Sequence, residues 1–259
     1  MNAFEMSIMG PALLAGLLVL ATHVPLGAEV LRRGIIFIDL AIAQVAGLGV
    51  IAADTMGWEQ NGWMVQGTAV SAALIAAFVL HWTDKRWPKM QEALIGICFI
   101  LAATAGILVL AGNPHGGGHL NELLIGQILW VTIDSLLLIA IISTVILTLW
   151  YLLRDRVRGL GFYVLFAFAV TASMQLVGVY LVFASLIIPA LATRKIDTRG
   201  IRLASAYGVG IVGYLSGLVL STRLDLPAGA VIVWCLAAAA ILFAWFIQPT
   251  LTKHRVQTS

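Results

Sequence analysis

A few ionisable residues lie within or at the ends of the long apolar segments of this sequence, and their side chains could do chemistry. His23 lies late in the first apolar run, Asp39 lies in the second, and Asp134 opens the fifth. An ionisable group in apolar surroundings is costly, so it is by default a candidate for a ligand, an ion path or a proton relay.

Asp39 is the most informative of the three. It follows Arg33 in the chain, so a continuous helix would place it about 9 Å deeper than that arginine. A carboxylate at such a depth needs a cation, hydrogen-bond donors or water. Two interpretations stay open, a salt bridge to a neighbouring arginine and a ligand on a cation pathway. Gln44 lies further along, about 140° around the helix from Asp39, so the two side chains do not share one face.

A second candidate for metal chemistry is a pair of histidines, His115 and His119, which flank three glycines. Imidazole is a ligand for zinc, copper, iron and nickel. The glycines disfavour a helix that would bring the two rings together. The pair is therefore either a weak metal trap in a flexible loop or two solvated histidines without a metal role.

The sequence contains none of the common motifs for nucleotide or hydrolytic chemistry. It has no Gly-x-x-x-x-Gly-Lys-Ser/Thr loop, no Gly-x-Ser-x-Gly turn and no His-Glu-x-x-His pair. If the protein carries out active transport, the energy must come from a partner ATPase or from an ion gradient.

The composition shows which elements must position these residues. The chain has 259 residues, of which 61% are hydrophobic and 10% charged, and its mean hydropathy is +1.01. Soluble domains carry about 25% charged residues, so an ordinary soluble domain, a disordered chain and a nucleic-acid binder are excluded. A membrane-spanning helix needs about 20 apolar residues. We therefore predict one all-α transmembrane domain over residues 1–259, a helical bundle with about eight spans.

The basic residues predict the orientation, because Lys and Arg favour the cytoplasmic side of a membrane. They cluster at Arg32/Arg33, Lys85/Arg86/Lys89, Arg154/Arg156/Arg158, Arg194/Lys195/Arg199/Arg202 and Lys253/Arg255. The third and fourth clusters both lie inside, yet the residues between them are too few for two full crossings, which need about 40. We expect one full helix over 162–180 and then a short or re-entrant helix near 181–192, beside protein or a water-filled cavity. The N-terminus would lie outside and the C-terminus inside.

Four short motifs follow one another along the chain at matching predicted depths. They are PLG at 25–27 with VLRR at 30–33 and FID at 37–39, LIGQILWVT at 124–132, QLVGVYLV at 175–182 with LIIPA at 186–190, and DLPAGA at 225–230. Together they resemble the bacterial metal-ion ABC permease family, the class that takes up zinc, manganese or iron. The resemblance covers about residues 11–247.

This resemblance implies the permease subunit of an ATP-driven importer of divalent transition metal ions, with zinc or manganese as the first candidates. It implies a multi-pass protein of the bacterial inner (plasma) membrane that is not itself an enzyme and holds no permanent cofactor, since the metal is cargo. The implied partners are cytoplasmic ATP-binding subunits, a periplasmic or extracellular metal-binding protein and a second permease copy, with no nucleic acid.

The resemblance also points to particular site residues. Asp39 is expected to contact the ion, with Gln44 and His23 as lesser candidates. Family members usually carry a histidine four residues after this aspartate, but here that position is Ala43. Gly178 and Pro189 would shape the short return. The residues expected to face the ATPase are Arg154, Arg156, Arg158, Arg194 and Arg199.

Two other functions are compatible with the composition. A gradient-driven secondary metal-ion carrier would act without an ATPase, but such carriers often show inverted repeats with paired broken helices, and one broken element is evident here. An intramembrane enzyme would need several catalytic groups at one depth. His23, Asp39 and Asp134 are too scattered along the chain for that function.

Overall fold

The computed structural model describes residues 3–58, 62–110, 123–126, 128–152 and 159–247. Within these ranges the ordered elements are helices, and no strand occurs among them. Short 3₁₀ segments at Pro88–Met90 and Ile128–Trp130 and a π-helical turn at Phe243–Ile247 accompany the α-helices. The α-helices are α1 Ala3–Arg33, α2 Ile38–Thr55, α3 Trp63–Arg86, α4 Gln91–Leu110, α5 Ile133–Leu152, α6 Leu160–Val177, α7 Val179–Ala192, α8 Arg199–Leu224 and α9 Ala228–Leu242.

Eight of these helices are long and apolar enough to cross a membrane, and α7, with 14 residues, is the shorter exception in the described part of the chain. The predicted all-α bundle of about eight spans with one half-length helix is therefore confirmed. Its centre is formed by α1 and α6, whose most apolar windows are 61% and 67% buried, whereas those of α4 and α5 are 22% buried. The exposed apolar faces of α4 and α5 are suited to lipid, because a helix on the rim of a bundle meets hydrocarbon on its outer side.

The short return predicted near 181–192 is observed, with boundaries that differ by a few residues. The long helix before it ends at Val177 rather than 180, because Gly178 adopts a φ of 82° and breaks the helix. The return, α7, begins directly at Val179. Pro189 does not end it, since α7 continues to Ala192.

Contacts at both ends of the α6–α7 pair show that it enters from and returns to the same side. At the start of α6, the Arg33 guanidinium carbon lies 4.1 Å from the centre of the Phe162 ring. In α7, Ala190 packs against Gly27, which lies two turns before the Arg33 end of α1. Both ends are therefore on the side of the arginines, the predicted cytoplasmic side, and the break at Gly178 is the deepest point.

Candidate functional site

Three of the four sequence motifs meet at one point inside the bundle. Gly178, at the break between α6 and α7, lies against the backbone of Ile125 and Gly126. On the opposite side of the backbone at 125–126, Gly229 in the first turn of α9 faces the Ile125 carbonyl oxygen. The segment 123–126, which comes from the outer side, therefore packs between the α6–α7 break and the start of α9. At these close contacts only glycine fits.

An open cavity of about 650 Å³ lies on the outer side of this crossing. It is bounded by the outer ends of α2, α3, α5 and α6, and Gly126 forms part of its wall. Its polar lining residues are Asp54, Gln66, Thr132, Ser135 and Gln175. A cavity of this size with convergent oxygen-bearing side chains can admit a hydrated ion from the outer solution.

A much smaller cavity, of about 10 Å³, lies deeper along α2. It is lined by Ala43, Gln44 and Gly47 of α2 and by Val179 at the start of α7. This volume is about the space that one water molecule needs. A passenger in this cavity would therefore have lost most of its hydration shell.

Three apolar residues, Ile51, Leu123 and Met174, line both cavities. A Cβ atom added at Gly47 would lie 3.8 Å from the Met174 methyl carbon and 3.9 Å from Leu123 Cδ1. The wall between the two cavities is therefore about one side chain thick and carries no charge.

One face of α2 runs past both cavities and carries a carboxylate at each end. Asp39, Ala43, Gly47, Val50 and Asp54 follow one another at spacings of three or four residues, which places them on a common face. The two middle positions, alanine and glycine, leave free space beside the helix. Asp39 itself lines neither cavity and lies one turn below the smaller one.

The structure places Asp39 in the first turn of α2 rather than on a helix continuous with Arg33. The chain leaves α1 after Arg33, turns at Gly34 with a φ of 71°, and starts α2 at Ile38. The depth of about 9 Å expected from a continuous helix is therefore wrong. At a helix N-terminus, unpaired backbone N–H groups stabilise a carboxylate charge.

Asp39 is nevertheless buried, with 1% of its surface exposed. No side chain among the described residues pairs with the carboxylate, and its nearest donors are the backbone N–H groups of Asp39 and Leu40 in the first helical turn. The neighbouring arginines are occupied elsewhere, since Arg32 Nε and Arg33 Nε donate to the Glu29 carboxylate at 2.8 and 2.7 Å. Of the two interpretations of Asp39, the salt bridge to an arginine is not formed in the described part of the chain.

Of the lesser candidates, Gln44 reaches the smaller cavity and His23 lies elsewhere. His23 Nδ1 lies 3.0 Å from the Val19 carbonyl oxygen, which it can donate to, while the buried Nε2 has no partner in the described structure. His23 lies about 15 Å along α1 from Arg33, whereas Asp39 is at the inner end of α2. The two helices follow each other in the chain but pack on α7 and α3, respectively, rather than on each other.

Within the described residues, no group of three His, Cys, Asp or Glu side chains is arranged to hold a metal ion. A cation at Asp39 would thus be held by one charged side chain together with neutral oxygen atoms or water. The paired histidines His115 and His119 lie outside the described residues.

Of the two described arginines expected to face an ATPase, Arg194 lies in the turn between α7 and α8, and Arg199 begins α8. Arg194 is exposed and Arg199 is half-buried. The turn is fixed by a hydrogen bond of 3.0 Å from Thr193 Oγ1 to the Pro189 carbonyl oxygen and by the buried Ile196. The other three arginines of this prediction, Arg154, Arg156 and Arg158, lie outside the described residues.

Known proteins that are similar to this chain include membrane proteins of metal transport systems. The chain is 25% identical to the manganese transport system membrane protein MntC of Halalkalibacterium halodurans, over 94% of this chain and 88% of that protein. It is also 25% identical to the high-affinity zinc uptake system membrane protein ZnuB of Haemophilus influenzae, over 91% and 96%. The solved structure of PsaBC from Streptococcus pneumoniae in complex with Fab has the same fold, with a TM-score of 0.77, 20% identity and full coverage of both chains.

The similarity covers the residues that hold all four quoted motifs. A sequence model of the ABC 3 transport family matches residues 5–247. The predicted resemblance to the metal-ion ABC permeases and the predicted multi-pass location in a bacterial inner membrane are thereby confirmed. This chain belongs to the ABC 3 transport family.

Proposed function

We propose that this chain is the permease subunit of an ATP-driven importer of a divalent transition metal ion. The relatives named for manganese and zinc uptake support a metal cargo. The sequence supports a separate ATPase subunit, because it holds no nucleotide-binding loop. The hydrolysis of ATP must then occur on a partner chain.

The observation that carries this proposal is the burial of Asp39 without a counter-ion among the described residues. A buried carboxylate without a counter-ion is strongly disfavoured unless it takes up a proton or a cation. Asp39 has this environment, and it lies on the α2 face that passes both cavities. We therefore assign the contact with the ion to Asp39 and not to Glu29, which is half-buried and paired with Arg32 and Arg33.

The two cavities suggest how an ion would reach Asp39 from outside. A hydrated ion enters the outer cavity, where Asp54 attracts it and Gln66 and Gln175 offer amide groups. It then passes the apolar wall at Met174 and reaches Gln44, whose amide oxygen is a neutral ligand for a hard cation. Pro189 and Gly178 shape the short helix that closes this path on one side. His23 remains a prediction for a separate contact.

The ligand set bears on the identity of the metal. Zinc prefers imidazole and thiolate ligands, whereas manganese accepts carboxylate, carbonyl and water oxygens. Ala43 supplies no ligand one turn above Asp39, and Gln44 supplies oxygen. Manganese is therefore the better supported of the two metals.

The full transporter would contain ATP-binding subunits, a second permease copy and an external metal-binding protein. The turn with Arg194 and Arg199 lies on the predicted cytoplasmic side, where an ATP-binding subunit must dock. The inner arginines Arg154, Arg156 and Arg158 would extend that surface.

Metal uptake by cells tests the proposal. The variant Asp39→Asn keeps the shape of the side chain but removes its charge, so uptake of manganese or zinc should collapse at unchanged expression. The control is Asp134→Asn, which removes a carboxylate that is exposed and lines neither cavity, and it should leave most of the uptake. Full uptake by the Asp39→Asn variant would remove Asp39 from the pathway and the proposal with it.

A further inference from the structure

The turn that joins α3 to α4 carries a cluster of positive charge at the predicted cytoplasmic surface. Lys85 and Arg86 end α3, and Lys89 lies in the 3₁₀ segment that precedes α4. All three side chains are exposed. We call this cluster, together with Trp82 and Trp87, the α3–α4 turn.

No acidic side chain in the described structure forms an ion pair with these three cations. The arginines at the end of α1 provide a contrast, since Arg32 and Arg33 are both paired with Glu29. The acid at the head of the α3–α4 turn, Asp84, lies beside the Tyr163 side chain instead. The turn therefore presents to an anion from outside the chain three cations that have no ion-pair partner in the described structure.

Two exposed tryptophans fix the position of these charges relative to lipid. Trp82 and Trp87 pack edge to face with ring centres 5.4 Å apart, and the Arg86 guanidinium lies 6.0 Å from the Trp87 ring. Indole rings favour the boundary between acyl chains and headgroups. Trp82 also continues an exposed apolar face of α3 that contains Ile75, Phe78 and Val79.

We propose that the α3–α4 turn binds the phosphate headgroup of an acidic phospholipid of the inner leaflet. The acyl chains lie along the exposed face of α3, the two indoles lie at the glycerol level, and Lys85, Arg86 and Lys89 surround the phosphate. Acidic headgroups attract juxtamembrane basic clusters by about fivefold in affinity for each Lys or Arg. A cytoplasmic protein partner could meet the charges but not the apolar face of α3 within the bilayer, whereas a phospholipid contacts both.

The test measures lipid retention by the purified full-length chain. Detergent-solubilised protein is incubated with equal amounts of phosphatidylglycerol and phosphatidylcholine, and bound lipids are counted by native mass spectrometry. Wild-type protein should retain phosphatidylglycerol preferentially, and the variant Lys85→Gln/Arg86→Gln/Lys89→Gln should lose at least about tenfold of that preference. Because these side chains are exposed, the thermal unfolding midpoint should stay unchanged.

A charge-matched variant and a fluorescence measurement keep the result specific. Arg194→Gln/Lys195→Gln/Arg199→Gln removes the same charge from another inner turn and should keep the preference. Brominated phosphatidylglycerol should quench wild-type tryptophan fluorescence more than that of a Trp82→Phe/Trp87→Phe variant. Three results would overturn the proposal. They are an equal loss of preference in both triple variants, an unchanged preference in the Lys85→Gln/Arg86→Gln/Lys89→Gln variant, and no preference in the wild type. The proposal would also be overturned if the Lys85→Gln/Arg86→Gln/Lys89→Gln variant kept its lipid but no longer assembled with an ATP-binding subunit.

Discussion

Gly126 and Gly178 touch each other through their backbones. Each has a positive φ, 71° and 82° respectively, and a Cβ atom on either one would overlap the main chain of the other segment. The contact locks the outer segment 123–126 to the break between α6 and α7. It also forms the floor of the outer cavity, since Gly126 lines that cavity.

Replacement of either glycine by alanine should destabilise the protein. A side chain at a positive φ costs about 1–3 kcal/mol, and the backbone on the opposite side cannot move away easily. We expect the variants Gly126→Ala and Gly178→Ala to lower the thermal unfolding midpoint of the purified protein. The matched control is Gly96→Ala in α4, where nothing lies near the new Cβ atom, and a loss of stability in the control equal to that of the other two would contradict this account.

Truncation of Met174 should open the wall between the two cavities. Met174→Ala removes the methyl group that lies against Gly47, so the permease reconstituted in vesicles should leak manganese faster than the wild type. Met56→Ala is the control, because Met56 is 68% exposed and lines neither cavity. An unchanged leak in the Met174 variant would show that the wall is formed by other residues.

The hydrogen bond between Ser185 and Tyr214 should contribute to the packing of α7 on α8. The two hydroxyl oxygens are 2.8 Å apart and both residues are fully buried. Such bonds between membrane helices contribute about 0.6 kcal/mol on average, so Tyr214→Phe should lower the free energy of unfolding by about that amount. Tyr180→Phe, at an exposed position, should have no effect, and the comparison is made by chemical denaturation in detergent.

On the proposed ion path, a histidine at position 43 should move the selectivity toward zinc. Ala43 follows Asp39 by one helical turn on the same face of α2, so Ala43→His would add an imidazole beside the carboxylate. In competition uptake, the ratio of zinc to manganese should rise several-fold. Ala43→Leu adds similar bulk without a ligand and should show no such rise, and a rise in both variants would exclude the imidazole as the cause.

Much of the fold could be predicted from the sequence because a membrane span is a local property. Each apolar run is long enough to satisfy its own backbone hydrogen bonds, and the spacing of the basic clusters left room only for a short return after α6. The turn at Gly34 was harder to place, since Ile35 and Ile36 are apolar and extend the run of α2 toward Arg33. The apolar run therefore predicts a start of α2 that is about one helical turn too early, and this changes the expected depth of Asp39.

The candidate site could be predicted only in part, because its geometry depends on contacts between distant segments. Asp39 was visible as a carboxylate in an apolar run. Its lack of an arginine partner depends on Glu29, which binds both arginines, and the outer cavity depends on four helices whose polar residues look ordinary in sequence. The glycines of the quoted motifs were a usable signal, since Gly126, Gly178 and Gly229 prove to be the points of closest backbone approach.

The most direct test of the central claim is ATP-driven uptake by vesicles that contain the assembled transporter. Radioactive manganese is supplied with the external metal-binding protein, and accumulation is measured together with ATP hydrolysis. For the Asp39→Asn variant, the account predicts less than about a tenth of the wild-type accumulation while the ATP-binding subunits still assemble with the permease. Accumulation equal to that of the wild type would contradict the claim that this buried carboxylate meets the transported ion.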